Sequence, residues 1–205
     1  MYDVCFFERA KTESFAYEGV TMKICVFCSA QDVPENYKKA AHALGTLLGK
    51  NGHDLVWGGT DRGLMHEVAA GVREGGGKLI AVSTELVKHK IHKSPDEAVI
   101  TKSLGERKAV MLERADVLIA LVGGIGTLDE ITEVIELRRH STHDKLVIVL
   151  DTDGFYDGFQ AQLQRMDAEG FFLDMDKREV EGLENLVFFA KAPEEAVRYI
   201  EEHAS

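Results

Sequence analysis

A cluster of glycines stands close to the carboxylate of Glu130 in the segment 120–130, Ala-Leu-Val-Gly-Gly-Ile-Gly-Thr-Leu-Asp-Glu. The glycines are Gly123, Gly124 and Gly126. The apolar run 117–122 predicts a strand, and we expect a helix that opens at Thr127 and carries Glu130 in its first turn. Uncovered backbone N–H groups at the positive end of a helix form a site for a phosphate. A carboxylate beside such a site is unfavourable unless it takes part in chemistry, so the segment favours an enzyme acting on a phosphorylated small molecule.

This turn leaves alternatives open. It matches neither common nucleotide-binding fingerprint, since it lacks the lysine of a P-loop and the GxGxxG spacing of a dinucleotide site. An ordinary glycine-rich connection is therefore the alternative to phosphate binding. The hydroxyl of Thr127 either caps the helix or binds a phosphate oxygen. Glu130, taken alone, is explained by the positive end of its helix, an interaction worth under about 1 kcal/mol.

The pair Arg107 and Lys108 changes the interpretation of Glu130. Both lie in the preceding predicted helix, 104–114, and the strand between delivers both segments to the same sheet edge. In open α/β sheets, ligands bind outside the carboxyl ends of the strands. An arginine there binds phosphate or carboxylate through paired hydrogen bonds and can hold Glu130 ionised and oriented. A solvated surface cation is the alternative for Arg107.

Three further groups of residues are candidates for binding. A second glycine-rich turn, Trp57-Gly-Gly-Thr60, precedes Gly63-Leu-Met65, and Met65 either packs against a base or fills the core. The basic run 88–93 either attracts a phosphate or is a solvated surface. His140 and His143 have no evident third ligand, so we expect no metal site.

The elements that must position these residues alternate between strand and helix, which predicts a parallel sheet covered on both faces. We predict strands at 23–28, 54–57, 78–82, 117–122, 145–150 and 186–190, and helices at 37–50, 64–73, 104–114, 127–139, 156–169 and from Pro193. Residues 85–103 show no clear periodicity. The fold predicted is a Rossmann-like, doubly wound α/β domain over 22–205, with a leader of uncertain role over 1–21.

The composition limits the classes of partner. A formal net charge of −11 over 205 residues argues against non-specific binding to nucleic acid or to a membrane. The apolar runs are too short for a membrane span, and the low, odd count of cysteines (Cys5, Cys25 and Cys28) suits a reducing compartment, so we expect a cytoplasmic protein. Cys25 and Cys28 stand three apart on a strand, which points them to opposite faces and predicts two buried thiols.

The stretch Gly105-Glu-Arg-Lys108, followed by Gly123-Gly-Ile-Gly-Thr-Leu-Asp-Glu130, resembles the LOG family, the cytokinin riboside 5′-monophosphate phosphoribohydrolases. The family pattern is an Arg-Lys pair and then Pro-Gly-Gly-x-Gly-Thr-x-x-Glu. The resemblance covers about residues 23–170 and includes the Gly-Leu-Met run and the short His143-Asp-Lys145. It implies a homodimer or higher homo-oligomer.

The activity that the resemblance implies is hydrolysis of the N-glycosidic bond of an adenosine 5′-monophosphate, with or without an N6 substituent. No metal or cofactor is implied. Arg107 would orient the substrate and Glu130, while Glu130 would contact the ribose, activate water or stabilise an oxocarbenium-like transition state. The glycine turn and Thr127 would hold the phosphate. The other substrate contacts implied are Glu85, Lys108, Asp129, Gly58, Gly59 and Met65.

The chain departs from the family pattern around the expected base pocket. Val122 replaces the proline before the glycines, Trp57 and Thr60 replace a Tyr and a Gly of the second turn, and Leu137 occupies a site that is often Trp. These departures keep a second hypothesis open, a non-catalytic carrier of a nucleotide or phosphorylated cofactor on the same fold. An NAD(P)-linked oxidoreductase is a more distant alternative.

Overall fold

Seven parallel strands form one sheet in the computed structural model, which describes residues 20–172 and 182–204. The strands are β1 (Lys23–Phe27), β2 (Asp54–Trp57), β3 (Leu79–Thr84), β4 (Glu97–Thr101), β5 (Val117–Ala120), β6 (Leu146–Leu150) and β7 (Phe188–Ala190). Their order across the sheet is β4-β3-β2-β1-β5-β6-β7. The predicted doubly wound α/β fold is therefore confirmed.

Helices cover both faces of this sheet. They are α1 (Glu35–Lys50), α2 (Gly63–Gly75), α3 (Leu104–Arg114), α4 (Ile125–Arg139), α5 (Asp157–Ala168), α6 (Leu183–Leu186) and α7 (Pro193–His203). One buried cluster joins the sheet to α1, α2 and α7, and a second joins its other face to α3, α4 and α5. Cys25 belongs to one cluster and Cys28 to the other, which confirms that the two buried thiols point to opposite faces.

The direction of winding reverses between β1 and β5. The chain runs outward from β1 to β4, returns through α3, and then runs outward the other way from β5 to β7. Such a reversal opens a crevice at the carboxyl ends of the two central strands. The loop after β1 borders this crevice, because Ser29 donates its backbone N–H to Val122 O at 3.2 Å and Leu64 donates to Ser29 O at 3.0 Å.

Several predicted boundaries were wrong. The segment 85–103 contains β4 and a short 3₁₀ turn (Lys88–Lys90); β4 is an edge strand with an exposed surface, so its apolar pattern is weak. The strand predicted over 117–122 ends at Ala120. The segment 186–190 ends α6 before β7 begins at Phe188. The leader predicted over 1–21 stays a prediction, because all but its last two residues lie outside the described part of the chain.

One further boundary error, at the start of α4, affects the site directly. Helix α4 begins at Ile125 and not at Thr127, so Glu130 lies in its second turn. Glycine is a poor helix former, which is why the sequence suggested a later start. The three-dimensional context extends the helix back through Gly126, and Gly124 becomes its N-cap residue.

Candidate active site

Arg107 and Glu130 form a buried ion pair at the crevice. Nη1 of Arg107 donates to Oε1 of Glu130 at 2.9 Å, and the two side chains are 13% and 8% exposed. Nε of Arg107 donates to Val82 O at 3.0 Å, which anchors the guanidinium to the end of β3. The solvated alternative for Arg107 is therefore excluded, and the predicted pairing of α3 with α4 is observed.

The start of α3 fixes where Arg107 lies. Ser103 is its N-cap residue, and its Oγ accepts a hydrogen bond from the backbone N–H of Glu106 at 3.1 Å. The Glu106 carboxylate accepts in turn from the backbone N–H of Lys102 at 2.7 Å. This is close to a capping box, and the Ser-Leu-Gly-Glu spacing at 103–106 was a signal that the sequence interpretation did not use.

Gly58 is adjacent to the guanidinium of Arg107. A Cβ added at Gly58 would lie 2.3 Å from Nη2 of Arg107 and 2.9 Å from Cε of Met65. A larger residue at this position would therefore displace the ends of both side chains from where they lie. Met65 is partly buried and packs against the core as well, so the structure places it at the border between core and crevice.

The environment of Glu130 raises the pKa of its carboxyl group. Burial is the largest cause, since removal from water disfavours the charged form. Arg107 opposes this rise through its charge and its hydrogen bond, the charge of Asp129 adds to it, and that of Lys108 lowers it. A raised carboxyl pKa in a cleft is typical of groups that take or give protons.

The N-terminus of α4 presents backbone N–H groups to open space. The first hydrogen bond along this helix start runs from Leu128 N to Gly124 O at 3.0 Å, so the N–H groups of 125–127 have no acceptor within the helix. A Cβ added at Gly124 or Gly126 would meet nothing within 4 Å. The arrangement suits an anion held by backbone N–H groups.

Gly123 and Thr127 serve a different purpose. A Cβ at Gly123 would lie 2.0 Å from Oγ1 of Thr127, which is only 4% exposed and covers this glycine. Thr127 is the third residue of α4 and not its N-cap, so the capping alternative is excluded. Gly123 is thus needed for packing, whereas Gly124 and Gly126 border the open cradle.

Lys108 pairs with two carboxylates of α4. Its Nζ lies 2.9 Å from Oδ2 of Asp129 and forms a second ion pair with Glu133. The hydrogen bonds that Lys108 donates to Glu133 and Asp129 are the largest causes of its raised pKa. The sequence interpretation missed Glu133, although its position four residues after Asp129 puts both on one side of the helix.

The second glycine turn is packed beneath the basic loop. Gly59 has φ +75°, and a Cβ there would lie 2.9 Å from Cβ of Ala81. His92 donates its backbone N–H to Gly59 O at 2.7 Å, and Ile91 bridges to Thr60. Glu85 is half-exposed at the start of this loop and pairs with Lys88 at 2.6 Å.

A cavity of about 330 Å³ lies between α3 and α4, next to the ion pair. Glu130 and Lys108 line it together with the apolar side chains of Phe27, Leu112 and Leu137. Its volume is within the range of small-molecule pockets. Leu137, one of the departures from the family pattern, is therefore part of the surroundings of Glu130.

Within the described ranges, no group of three or more His, Cys, Asp or Glu side chains is arranged to hold a metal ion. His140 lies 2.9 Å from Oε1 of Glu136, and the His143 ring lies 2.9 Å from Val134 O. Over the same part of the chain, helices long and apolar enough to cross a membrane are absent.

Solved structures with this topology confirm the class of fold. The molybdenum cofactor binding protein of Rippkaea orientalis matches with a TM-score of 0.68 at 23% identity, covering 91% of this chain and 99% of that one. The Moco carrier protein of Chlamydomonas reinhardtii matches with a TM-score of 0.65 at 23% identity, covering 89% and 97%. The fold thus defines a Rossmann-like α/β protein with a crevice at its switch point.

Sequence comparisons give the family. A family model described as possible lysine decarboxylase matches residues 65–200. The probable cytokinin riboside 5′-monophosphate phosphoribohydrolase LOGL9 of Oryza sativa subsp. japonica is 41% identical over 152 residues, 73% of this chain and 67% of that protein. The cytokinin riboside 5′-monophosphate phosphoribohydrolase of Mycobacterium marinum is 35% identical over 150 residues, 72% and 80%. The cytokinin riboside 5′-monophosphate phosphoribohydrolase LOG3 of Arabidopsis thaliana is 35% identical over 185 residues, which are 89% of this chain and 83% of that protein. The chain belongs to the LOG family.

Proposed function

We propose that this protein hydrolyses the N-glycosidic bond of an adenosine 5′-monophosphate, with or without an N6 substituent. The products are the free base and ribose 5-phosphate, so the protein is a hydrolase acting on N-glycosyl bonds. The observation that carries the proposal is the buried Arg107–Glu130 pair beside the open N-terminus of α4. The names of the relatives support the same activity.

The phosphate would bind at the start of α4. The free N–H groups of 125–127 and the positive helix end favour a dianion there, and Gly124 and Gly126 leave it room. Thr127 and Gly123 would fix the shape of the turn. A phosphate in this place would put the ribose toward the second turn of α4, where Glu130 lies.

Glu130 would act on the ribose and on the attacking water. As a carboxylate it can take a proton from water that adds to C1′, and it can stabilise positive charge on the ribose as the bond from C1′ to the base nitrogen breaks. The water supplies the hydroxyl group of ribose 5-phosphate, and its proton balances the negative charge left on the base. Arg107 would hold Glu130 in its charged form and in one orientation.

The base would lie where the loops after β1 and β2 meet. Gly58 and Gly59, which follow β2, and Met65 at the start of α2 are the proposed contacts. Glu85 is retained as a proposed contact from the loop after β3. Lys108 and Asp129 pair with each other beside Glu130, which fits a role in holding Glu130 as well as it fits a direct substrate contact.

We also propose a homo-oligomer that works in the cytoplasm. The apolar side chains of Leu104 and Ile125, at the starts of α3 and α4, are 60% and 81% exposed beside the site, and a second subunit would cover them. The unpaired thiols of Cys25 and Cys28 fit a reducing compartment.

A panel of nucleotides tests the proposed activity. We expect adenine from AMP, or the modified base from an N6-substituted AMP, and much slower release from adenosine, which lacks the phosphate. Chromatography with a parallel assay for ribose 5-phosphate should find both products in equal amounts. Tight binding of a nucleotide with no release of base from any purine or pyrimidine monophosphate would favour the carrier hypothesis instead.

A further inference from the structure

Three carboxylates and two cations meet between α3 and α4. Asp129, Glu130 and Glu133 are on α4, and Arg107 and Lys108 are consecutive on α3. Arg107 is engaged by Glu130, which leaves Lys108 to neutralise the other two carboxylates. Both of its partners are more exposed than Lys108 itself, whose side chain is 19% exposed.

The two partners of Lys108 flank the proposed catalytic carboxylate. Asp129 is adjacent to Glu130 in sequence, and its charge raises the pKa of Glu130, whereas Glu133 follows Glu130 by three residues, nearly one helical turn. Without a cation between them, two negative charges would stand beside a third one that is already buried. A buried carboxylate responds to such neighbours by holding its proton more tightly.

We propose that Lys108 is a positioning residue, which clamps Asp129 and Glu133 and so keeps Glu130 ionised and in register with Arg107. This inference rests on the proposed function and deepens it, because it assigns Lys108 a role that requires no contact with the substrate. The clamp joins α3 to α4 one residue beyond Arg107. Loosening the clamp would therefore also disturb the Arg107–Glu130 hydrogen bond.

The ionisable groups that interact electrostatically with Glu130 bear on any pH effect. They are Arg107 and Lys108 on α3, Asp129 on α4, Cys25 on β1 and Cys28, which follows β1. The thiols are buried and stay neutral because burial raises their pKa values. Glu113, His143 and Lys145 line the adjoining cavity, so these three residues are left unsubstituted in every variant of the test.

The test compares Lys108→Met with Lys108→Arg and with the double variant Asp129→Asn/Glu133→Gln. A triple variant combines Lys108→Met with both substitutions of the double variant. Lys39→Met, an exposed position on α1, is the surface control. For each variant, kcat and KM for AMP are measured across pH, and thermal unfolding checks that the fold is intact. The double variant keeps the proposal testable if Lys108→Met does not fold.

The clamp predicts a tenfold to hundredfold lower kcat for Lys108→Met at neutral pH, an estimate of the order expected for a misplaced catalytic group. It predicts a KM within about threefold of the unmodified protein, because no binding contact is lost. The acid limb of the profile should move to higher pH in this variant and to lower pH in the double variant. Lys108→Arg should restore most activity, and the triple variant should return the acid limb toward its original position.

A direct substrate contact would give a different pattern. In that case Lys108→Met would raise KM, leave the acid limb where it was, and stay equally impaired in the triple variant, and this result would overturn the clamp. If the unmodified protein releases no base, the proposed function fails by itself. The positioning role of Lys108 is then tested by ¹³C NMR titration of the Glu130 carboxyl, which needs no turnover. A higher pKa in Lys108→Met supports the clamp, and an unchanged pKa overturns it.

Discussion

Gly58 and Arg107 occupy positions that depend on each other, because the space that a side chain at Gly58 would need is filled by the Arg107 guanidinium at 2.3 Å. The glycine follows β2 and the arginine lies on α3, so two distant segments meet beside Glu130. This contact gives the glycine turn a purpose apart from ligand binding.

Replacing Gly58 with alanine should therefore impair catalysis more than folding. The added methyl group would push the flexible ends of Arg107 and Met65 aside and break the alignment of Arg107 with Glu130. We expect kcat to fall by about a hundredfold, with little change in thermal unfolding. Gly158→Ala is the matched control, since an added Cβ there meets nothing within 4 Å. Equal activity of Gly58→Ala and the control would contradict this dependence.

Gly124 and Gly123 should respond differently to the same substitution. Gly124→Ala places a methyl group in open space at the proposed phosphate cradle, so stability should be kept while KM for AMP rises by tenfold or more, as expected for weakened charged hydrogen bonds of about 1.5–3 kcal/mol. Gly123→Ala collides with Thr127 and should lower the free energy of unfolding by about 1–3 kcal/mol. Urea unfolding and steady-state kinetics distinguish the two. An unchanged KM in Gly124→Ala would place the phosphate elsewhere.

The pH dependence of activity should report the raised pKa of Glu130. Only the carboxylate can accept a proton, so kcat/KM should fall as pH decreases through this pKa, at a pH above the ordinary glutamate value of 4.5. Arg107 lowers this pKa, so Arg107→Met should move the acid limb to still higher pH. A limb at or below 4.5, or one that Arg107→Met leaves in place, would show that another group controls the profile.

Asp151 should be important for stability rather than activity. Its buried carboxylate accepts from the backbone N–H of Tyr156 at 2.6 Å and from Nζ of Lys191 at 2.5 Å. We expect Asp151→Ala to lower the free energy of unfolding by about 2–4 kcal/mol, because it leaves a buried N–H group unsatisfied. Asp167→Asn, at a partly buried position near the end of α5, is the control. An effect no larger than that of the control would refute this assignment.

The same carboxylate gives stability a defined pH dependence. Burial raises its pKa, but the hydrogen bonds from Lys191 and Tyr156 outweigh burial and leave the pKa below the ordinary 3.8. The stabilisation is therefore complete above 3.8 and is lost as pH falls through the lower, folded value. Urea unfolding of the unmodified protein and of Asp151→Ala should converge at the acid end of the range.

The sequence predicted the elements with strong, buried apolar patterns. β5 is apolar throughout, β1 and β2 are apolar after their first residue, and Pro193 marks the first turn of α7. The edge strand β4 was missed because most of its side chains are exposed. Its sequence therefore lacks a clear alternation of apolar and polar residues. The start of α4 was misplaced because propensity disfavours Gly126, whereas packing decides where the helix begins.

The Arg107–Glu130 pairing was predictable because the ends of parallel strands and the starts of the following helices meet at one edge of the sheet. The roles of Gly58 and Glu133 were not predictable in the same way. Gly58 matters because the guanidinium of Arg107, from α3, occupies the space beside it. Glu133 matters because the side chain of Lys108 extends from α3 to pair with it. Both depend on side-chain positions across elements, which spacing along one segment does not contain.

The central claim is that Glu130 converts a bound nucleotide to free base. The most direct measurement compares the unmodified protein with Glu130→Gln, using calorimetry for AMP binding and chromatography for adenine. We predict that both bind AMP, that the unmodified protein releases adenine and ribose 5-phosphate in equal amounts, and that release by Glu130→Gln is at least about a hundredfold slower. Equal rates for the two proteins, or binding by the unmodified protein without release of adenine, would contradict the claim.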